Sequence, residues 1–232
     1  MIAENLLRGW VAMYATVAAI AVVRTMARRE RASQGERESE SESESRGVVL
    51  VRALAGDEAG LARRLGETGG AGSVIFAVGS RLDPAEPIAQ RVAAGLRARG
   101  TDATVFVTNA VGPNHKADQL ARTLALPRAR ARRIVVVADA DVELGHDAVP
   151  RLVAALGASD AVWAPPVERG RARTWGDRAS QAVLDASLHS FPLLAGIDPH
   201  GLVGKLFAVR RSALDSVGGF GALTRYLGED ME

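Results

Sequence analysis

The sequence contains no cysteine. A disulfide framework and a thiolate metal site are both excluded, so a metal ion could be held only by oxygen or imidazole ligands. Aromatic residues make up only 4% of the chain, too few for a base-stacking platform. Charge of one sign is lacking as well. The 29 Lys and Arg stand against 27 Asp and Glu, a formal net charge of +2, which argues against a nucleic-acid binder. Phosphate-cradling glycine loops are also missing. Neither G-x-G-x-x-G nor G-x-x-x-x-G-K-[ST] follows the first apolar run, where Arg52-Ala-Leu-Ala-Gly-Asp57 stands instead. That argues against a dinucleotide-binding dehydrogenase or a P-loop enzyme. Nucleotide phosphates, if bound, need a metal or basic side chains.

The N-terminal uncharged run, Gly9 to Val23, holds 15 residues, where a spanning helix wants about 20. Arg8 precedes it, Trp10 and Tyr14 could lie at a headgroup level, and Arg24, Arg28, Arg29 and Arg31 follow. A cleaved signal peptide would carry its charge before the run rather than after it. The expectation is a single-pass anchor over residues 1–29 in the cytoplasmic (inner) membrane, with everything after residue 24 facing the cytoplasm. A buried amphipathic helix is the competing reading. Residues 30–46 are of low complexity, with Glu and Ser alternating from Glu38 to Ser45, and cannot bury enough apolar surface to offset their ordering entropy. They read as a disordered tether.

From Gly47 the pattern changes, and 47% hydrophobic content over the whole chain is enough for a real core. Strands are predicted over 48–54, 74–78, 104–108, 134–138 and 162–164, and helices over 57–65, 87–99, 116–126 and 148–156. This alternation argues an α/β fold, a mostly parallel sheet with helices on both faces. The later part is less regular, with a helix over 177–194, a strand over 203–210 and a short helix opening at Ser212.

The fourth strand, Ile134-Val-Val-Val-Ala138, stops on Asp139-Ala-Asp141. Ligands of open α/β sheets bind at the C-terminal ends of strands. Two carboxylates that close repel each other unless a positive group sits between them, and a hard divalent cation with substrate phosphates would serve. A helix cap followed by a first-turn acid is the bland alternative.

Several stretches then fall into one order: Leu82-Asp83-Pro84-Ala85, Val111-Gly-Pro-Asn-His-Lys116, Asp139-Ala-Asp141, Gly201-Leu-Val-Gly-Lys205, and Gly218-Gly-Phe followed by Gly228-Glu-Asp230. Together they resemble the ceramide glucosyltransferase-like glycosyltransferases (family 21, related to family 2), which include bacterial hopanoid glycosyltransferases. The resemblance covers roughly residues 47–232 together with the N-terminal anchor. It implies a GT-A fold in a single domain over 47–232. It implies an inverting transfer of a hexose from a nucleotide sugar, usually UDP-linked, to a lipid hydroxyl, ceramide-like or hopanoid. It implies that Asp83 lies near the nucleotide, that Asp139 and Asp141 hold Mn²⁺ or Mg²⁺ on the diphosphate, and that Asp230 is the catalytic base. Lys116 is a candidate for a donor phosphate or base carbonyl, against a solvated first-turn lysine; Lys205 is a weaker case of the same kind. The family's (Q/R)xxRW motif and C-terminal membrane segments are absent, so the chain reads as cut short within its domain, incomplete or inactive as it stands.

The chemistry agrees with these roles. A metal bridging the phosphates stabilises the charge of the leaving diphosphate, and a carboxylate opposite it can take the acceptor proton. Two rivals stand beside this reading. A phosphatase of the haloacid dehalogenase type would place its Asp pair after the first strand, whereas here three strands precede it. A non-catalytic membrane-tethered module that binds a nucleotide sugar or a partner is the other.

Overall fold

The computed structural model describes residues 2–35, 47–167, 174–197 and 202–226. The elements in chain order are α1 (Ile2–Gly35), β1 (Val48–Leu54), α2 (Leu61–Gly66), β2 (Ser73–Val78), α3 (Ala85–Ala98), β3 (Asp102–Val107), α4 (His115–Leu124), α5 (Pro127–Arg130), β4 (Ile134–Ala138), α6 (Ala148–Leu156), β5 (Ala161–Trp163), α7 (Trp175–Ile197), β6 (Leu206–Arg210), α8 (Arg211–Ser216) and a 3₁₀ turn at Phe220–Leu223. They fall into two compact units, one formed by residues 1–37 with 165–201 and the other by 38–164 with 202–232. Within the span expected as one domain, 47–232, α7 groups with α1.

In the larger unit six strands form one sheet in the order β3-β2-β1-β4-β6-β5. The first four are parallel. β6 runs antiparallel to both β4 and β5. β1 and β4 are apolar throughout except at Arg52, as strands covered on both faces must be. Alternation sends Val48, Leu50 and Leu54 to one face, under Leu61 and Leu65 of α2, Ala89 and Leu96 of α3, and Leu152 and Leu156 of α6. Val49 and Val51 go to the other, with Leu120 and Leu124 of α4, Ala129 of α5 and Leu214 of α8. Each fully buried Val or Leu contributes about 1.5–3 kcal/mol, so the central strands anchor both layers.

The chain winds from β1 outward to β3, then returns to lay β4 on the opposite side of β1. The crevice where the winding reverses opens at the C-terminal ends of β1 and β4, the usual ligand position in such sheets. Asp139 is the residue that follows β4.

One observation bears on the expected anchor, and two element boundaries are corrected. No described helix is long and apolar enough to cross a membrane. The uncharged run of 15 residues spans only about 22 Å at 1.5 Å per residue, against a hydrocarbon core of about 30 Å. Next, α1 continues to Gly35, across the first residues assigned to the tether; residues 36–46 lie outside the described residues. Finally, α2 starts at Leu61 rather than Asp57, because Gly60 before it takes a left-handed conformation with φ 79°, which only glycine adopts freely.

Candidate active site

Three elements deliver charge to the end of β4. Asp139 leaves the strand with its N–H donating to the carbonyl of Lys205 at 3.0 Å. That bond continues the antiparallel ladder, in which Ala138 pairs with Leu206. Because β6 runs antiparallel, the residue before it arrives where β4 ends, and Lys205 comes with it. Lys116 comes from the first turn of α4, a helix capped by Asn114, whose Oδ1 accepts the Ala117 N–H at 2.9 Å.

The side chains form one alternating cluster. Lys116 Nζ lies 2.8 Å from Asp139 Oδ1. Lys205 Nζ lies 3.4 Å from Asp139 Oδ2 and 2.7 Å from Asp141 Oδ2. Burial alone would lower the pKa of Lys205, but the hydrogen bond and charge of Asp141, joined by those of Asp139, outweigh it and raise it. The two aspartates thus converge on a single cationic point, as the sequence pattern requires. Both lysines are partly exposed yet ion-paired: Lys116 to Asp139, and Lys205 to both aspartates.

This geometry fits a divalent cation. Among the described residues no three His, Cys, Asp or Glu side chains cluster around one point, so an all-protein cage is not built. Two carboxylates aimed at one cation position, with donor phosphates completing the shell, is the arrangement Mg²⁺ and similar hard ions use. The neighbouring lysines make it a site of mixed charge.

Asp83 stands at the same end of the sheet, in the turn after β2. Its Oδ1 accepts the N–H of Gly56, in the loop after β1, and the N–H of Ala85, each at 2.9 Å. The carboxylate thus ties two of the loops that border the crevice. The structure does not bring it into contact with the Asp139 cluster. Asp230 lies outside the described residues.

Sequence reasoning passed over two residues beneath the cluster. Arg52 of β1 is fully buried. Its guanidinium donates to the carbonyls of Asp139 at 2.7 Å and Val142 at 2.6 Å, and to that of Arg64 at 2.8 Å. Arg64 Nε donates to the Ala140 carbonyl at 3.0 Å. The signal was present: one charge interrupts an otherwise apolar central strand.

Six strands in the order 3-2-1-4-6-5, with a D-x-D pair at the central reversal, place the larger unit in the GT-A class of α/β fold. Among solved structures the chain is similar to the mannosyltransferase PcManGT from Pyrobaculum calidifontis, solved in complex with GDP-Man and Mn²⁺. The TM-score is 0.51 at 19% sequence identity, and the match covers 88% of this chain and 59% of that one. The chain thus spans well under two thirds of that protein's length. No curated protein sequence matches it. The sequence model described as "Glycosyl transferase family 21" matches residues 10–232. The chain belongs to glycosyl transferase family 21, the family its motifs resemble.

Proposed function

We propose that the chain carries the donor-binding half of a glycosyltransferase that moves a hexose from a nucleotide sugar, UDP-linked, to the hydroxyl of a ceramide-like or hopanoid lipid, with inversion. The observation that carries this reading is the convergence of Asp139 and Asp141 on one cation position at the end of β4, flanked by Lys116. Mn²⁺ or Mg²⁺ held there supplies Lewis-acid stabilisation of the charge on the leaving diphosphate. Lys116 and Lys205, beside the carboxylates, would offer that diphosphate two further positive charges. Asp83 shapes the nucleotide side of the crevice through the loop after β1. Asp230 is assigned the role of base, taking the proton of the acceptor hydroxyl.

Membrane association belongs to the same proposal. Trp10, Met13, Tyr14 and Val17 of α1 are exposed, and Arg24, Arg28, Arg29 and Arg31 follow the uncharged run. An apolar helix with flanking arginines suits attachment to the cytoplasmic surface of the bilayer.

The test is transfer of radiolabelled sugar in membranes containing the protein, with Mn²⁺, ceramide or hopanoid acceptors, and a donor panel of UDP-glucose, UDP-galactose and GDP-mannose. Asp139→Ala and Asp230→Ala are expected to abolish turnover. The Asp139 change should also weaken metal-dependent binding of the nucleotide, whereas the Asp230 change should leave it nearly intact. Full turnover in either variant would sink the assignment of that residue.

A further inference from the structure

We propose that Arg52, backed by Arg64, is a positioning residue that sets the shape of the Asp139–Val142 loop and so the geometry of its two carboxylates. The inference rests on the metal-site reading above and extends it to residues that touch neither metal nor donor.

β1 is the central strand of the sheet, and an apolar residue would suit position 52. Arg52 faces the same way as Leu50 and Leu54, toward the layer holding Leu61, Leu65 and Leu144. Burying a cation there is costly unless other groups replace its water. Among the described residues no carboxylate forms an ion pair with it. Its solvation comes from backbone carbonyls, and three of the four belong to one loop. Arg52 Nη2 reaches the oxygens of Asp139 at 2.7 Å and Val142 at 2.6 Å, with that of Ala140 more distant at 3.4 Å. Nη1 binds the oxygen of Arg64 at 2.8 Å. Arg64 in turn gives its Nε to Ala140 at 3.0 Å, so the carbonyls of Asp139, Ala140 and Val142 each meet a guanidinium.

A residue kept only to fill the core would not need this set of donors. Arg52 even leaves its Nε buried without an acceptor, so its placement is decided by the loop rather than by complete satisfaction of its own hydrogens. Burial pulls its pKa down to about 10, with the charge of Arg64 adding to the effect. It therefore remains a cation at neutral pH and keeps all its donors. Removing the donors leaves the Val142 carbonyl without its guanidinium partner and that of Asp139 with only the 3.2 Å turn bond from the Val142 N–H. The loop must then turn over to find water, and Asp139 and Asp141 lose their common focus.

The experiment compares Arg52→Met, Arg52→Lys, Arg64→Met and Leu54→Ala in the full chain. Leu54→Ala is the control: it opens the same strand face without removing a hydrogen-bond donor to the loop. Two readouts are taken, the Mn²⁺ dissociation constant in the presence of UDP and hydrogen exchange of the peptide carrying residues 139–142. Arg52→Met is expected to weaken Mn²⁺ binding at least tenfold and to speed exchange of the loop amides, while its other strands stay protected. Arg52→Lys keeps a buried ammonium with three donors and should restore affinity to within about threefold of wild type. Leu54→Ala should lower the melting temperature and leave the affinity within twofold. If Arg52→Met does not fold, Arg64→Met decides, with an expected loss of about three- to tenfold from one missing carbonyl bond. The proposal is overturned if the variant that decides binds Mn²⁺ as tightly as wild type, or if Leu54→Ala loses as much affinity as Arg52→Met. Should the wild-type chain bind no Mn²⁺ even with UDP present, the metal-site reading fails by itself. Loop exchange then decides for Arg52 alone: faster in Arg52→Met than in Leu54→Ala supports it, and equal rates overturn it.

Discussion

The substitution that bears most directly on the site is Asp139→Asn, which keeps the size of the side chain and removes its charge. In the native cluster two carboxylates face two ammonium groups, and their formal charges cancel. With asparagine at 139 the cluster carries one net positive charge. A divalent ion and a carboxylate about 4 Å apart interact by roughly 8 kcal/mol at an effective dielectric of about 20. Taking about one third of that as surviving desolvation and relaxation gives about 2.7 kcal/mol, or roughly a hundredfold in Kd. The fold should barely notice. The backbone bonds of residue 139, to Lys205 through its N–H and to Arg52 through its carbonyl, do not involve the carboxylate. The ion pairs given up are partly exposed and worth at most about 1 kcal/mol each, which is a few degrees of melting temperature in a chain of this size. The assay is a Mn²⁺ titration with UDP present, followed by electron paramagnetic resonance, beside a thermal melt. A Kd within threefold of wild type, in a variant that melts normally, would refute the reasoning: Asp139 would then be a partner of lysines and nothing more.

Four further outcomes are expected. Lys205→Met removes the ammonium that occupies the focus of the two aspartates, so Mn²⁺ without nucleotide should bind roughly three- to tenfold tighter, while UDP in the presence of Mn²⁺ binds more weakly; isothermal titrations of each ligand check both signs. Stripping the metal with EDTA should weaken UDP binding, and by linkage UDP must tighten Mn²⁺ by the same factor, so unequal factors in the two titrations would exclude a single shared site. Asp83→Ala loses the acceptor for the Gly56 and Ala85 N–H groups and should cost about 1–2 kcal/mol in urea melts, with Asp83→Asn, which keeps an acceptor, costing less than half of that. Asp118 is held below the usual carboxylate range: burial would raise it, but the hydrogen bonds from Arg122 and the Val111 N–H, with the charges nearby, prevail. Its contribution to stability is therefore present above the unfolded-state pKa and lost as pH falls through the lower folded one, so the stability gap between wild type and Asp118→Asn should shrink as pH drops below about 4.

The first four strands were legible because each is a short apolar run closed by a turn signal, and β4 was the clearest because two aspartates end it. Charge repulsion between those aspartates pointed to a cation between them, with a helix cap as the alternative, and the cation the structure places there is the Lys205 ammonium. The direction of β6 was not legible. Its residues read equally well either way, and only its pairing with β4 shows that it runs back toward Asp139. Lys205 was undervalued for that reason: its role depends on strand direction rather than on its neighbours in sequence. Arg52 was hidden by the opposite effect. It sits inside a run so apolar that the run was read as a unit, and the carbonyls it serves are 87 to 90 residues away. The short α5 went unread because Pro127 at its first position looks like a turn when only one helical turn follows.

The charges at the end of β4 are layered, and the order of the layers says why metal and diphosphate should enter together. Beneath the loop lies Arg52, whose donors turn the carbonyls of residues 139 and 142 inward. Above it come the two carboxylates, and beside them Lys116 and Lys205. A metal ion arriving alone must displace an ammonium from the position the carboxylates share. A diphosphate arriving alone meets carboxylates that repel it before it reaches the lysines. If both arrived together, the carboxylates would hold the metal and the ammonium groups would be free for the phosphate oxygens, so each ligand would remove the electrostatic obstacle to the other. The lysines are therefore not substitutes for the metal. On the proposed reading they would hold the carboxylate pair in one place until a donor arrived, and the buried arginine would keep the loop from following.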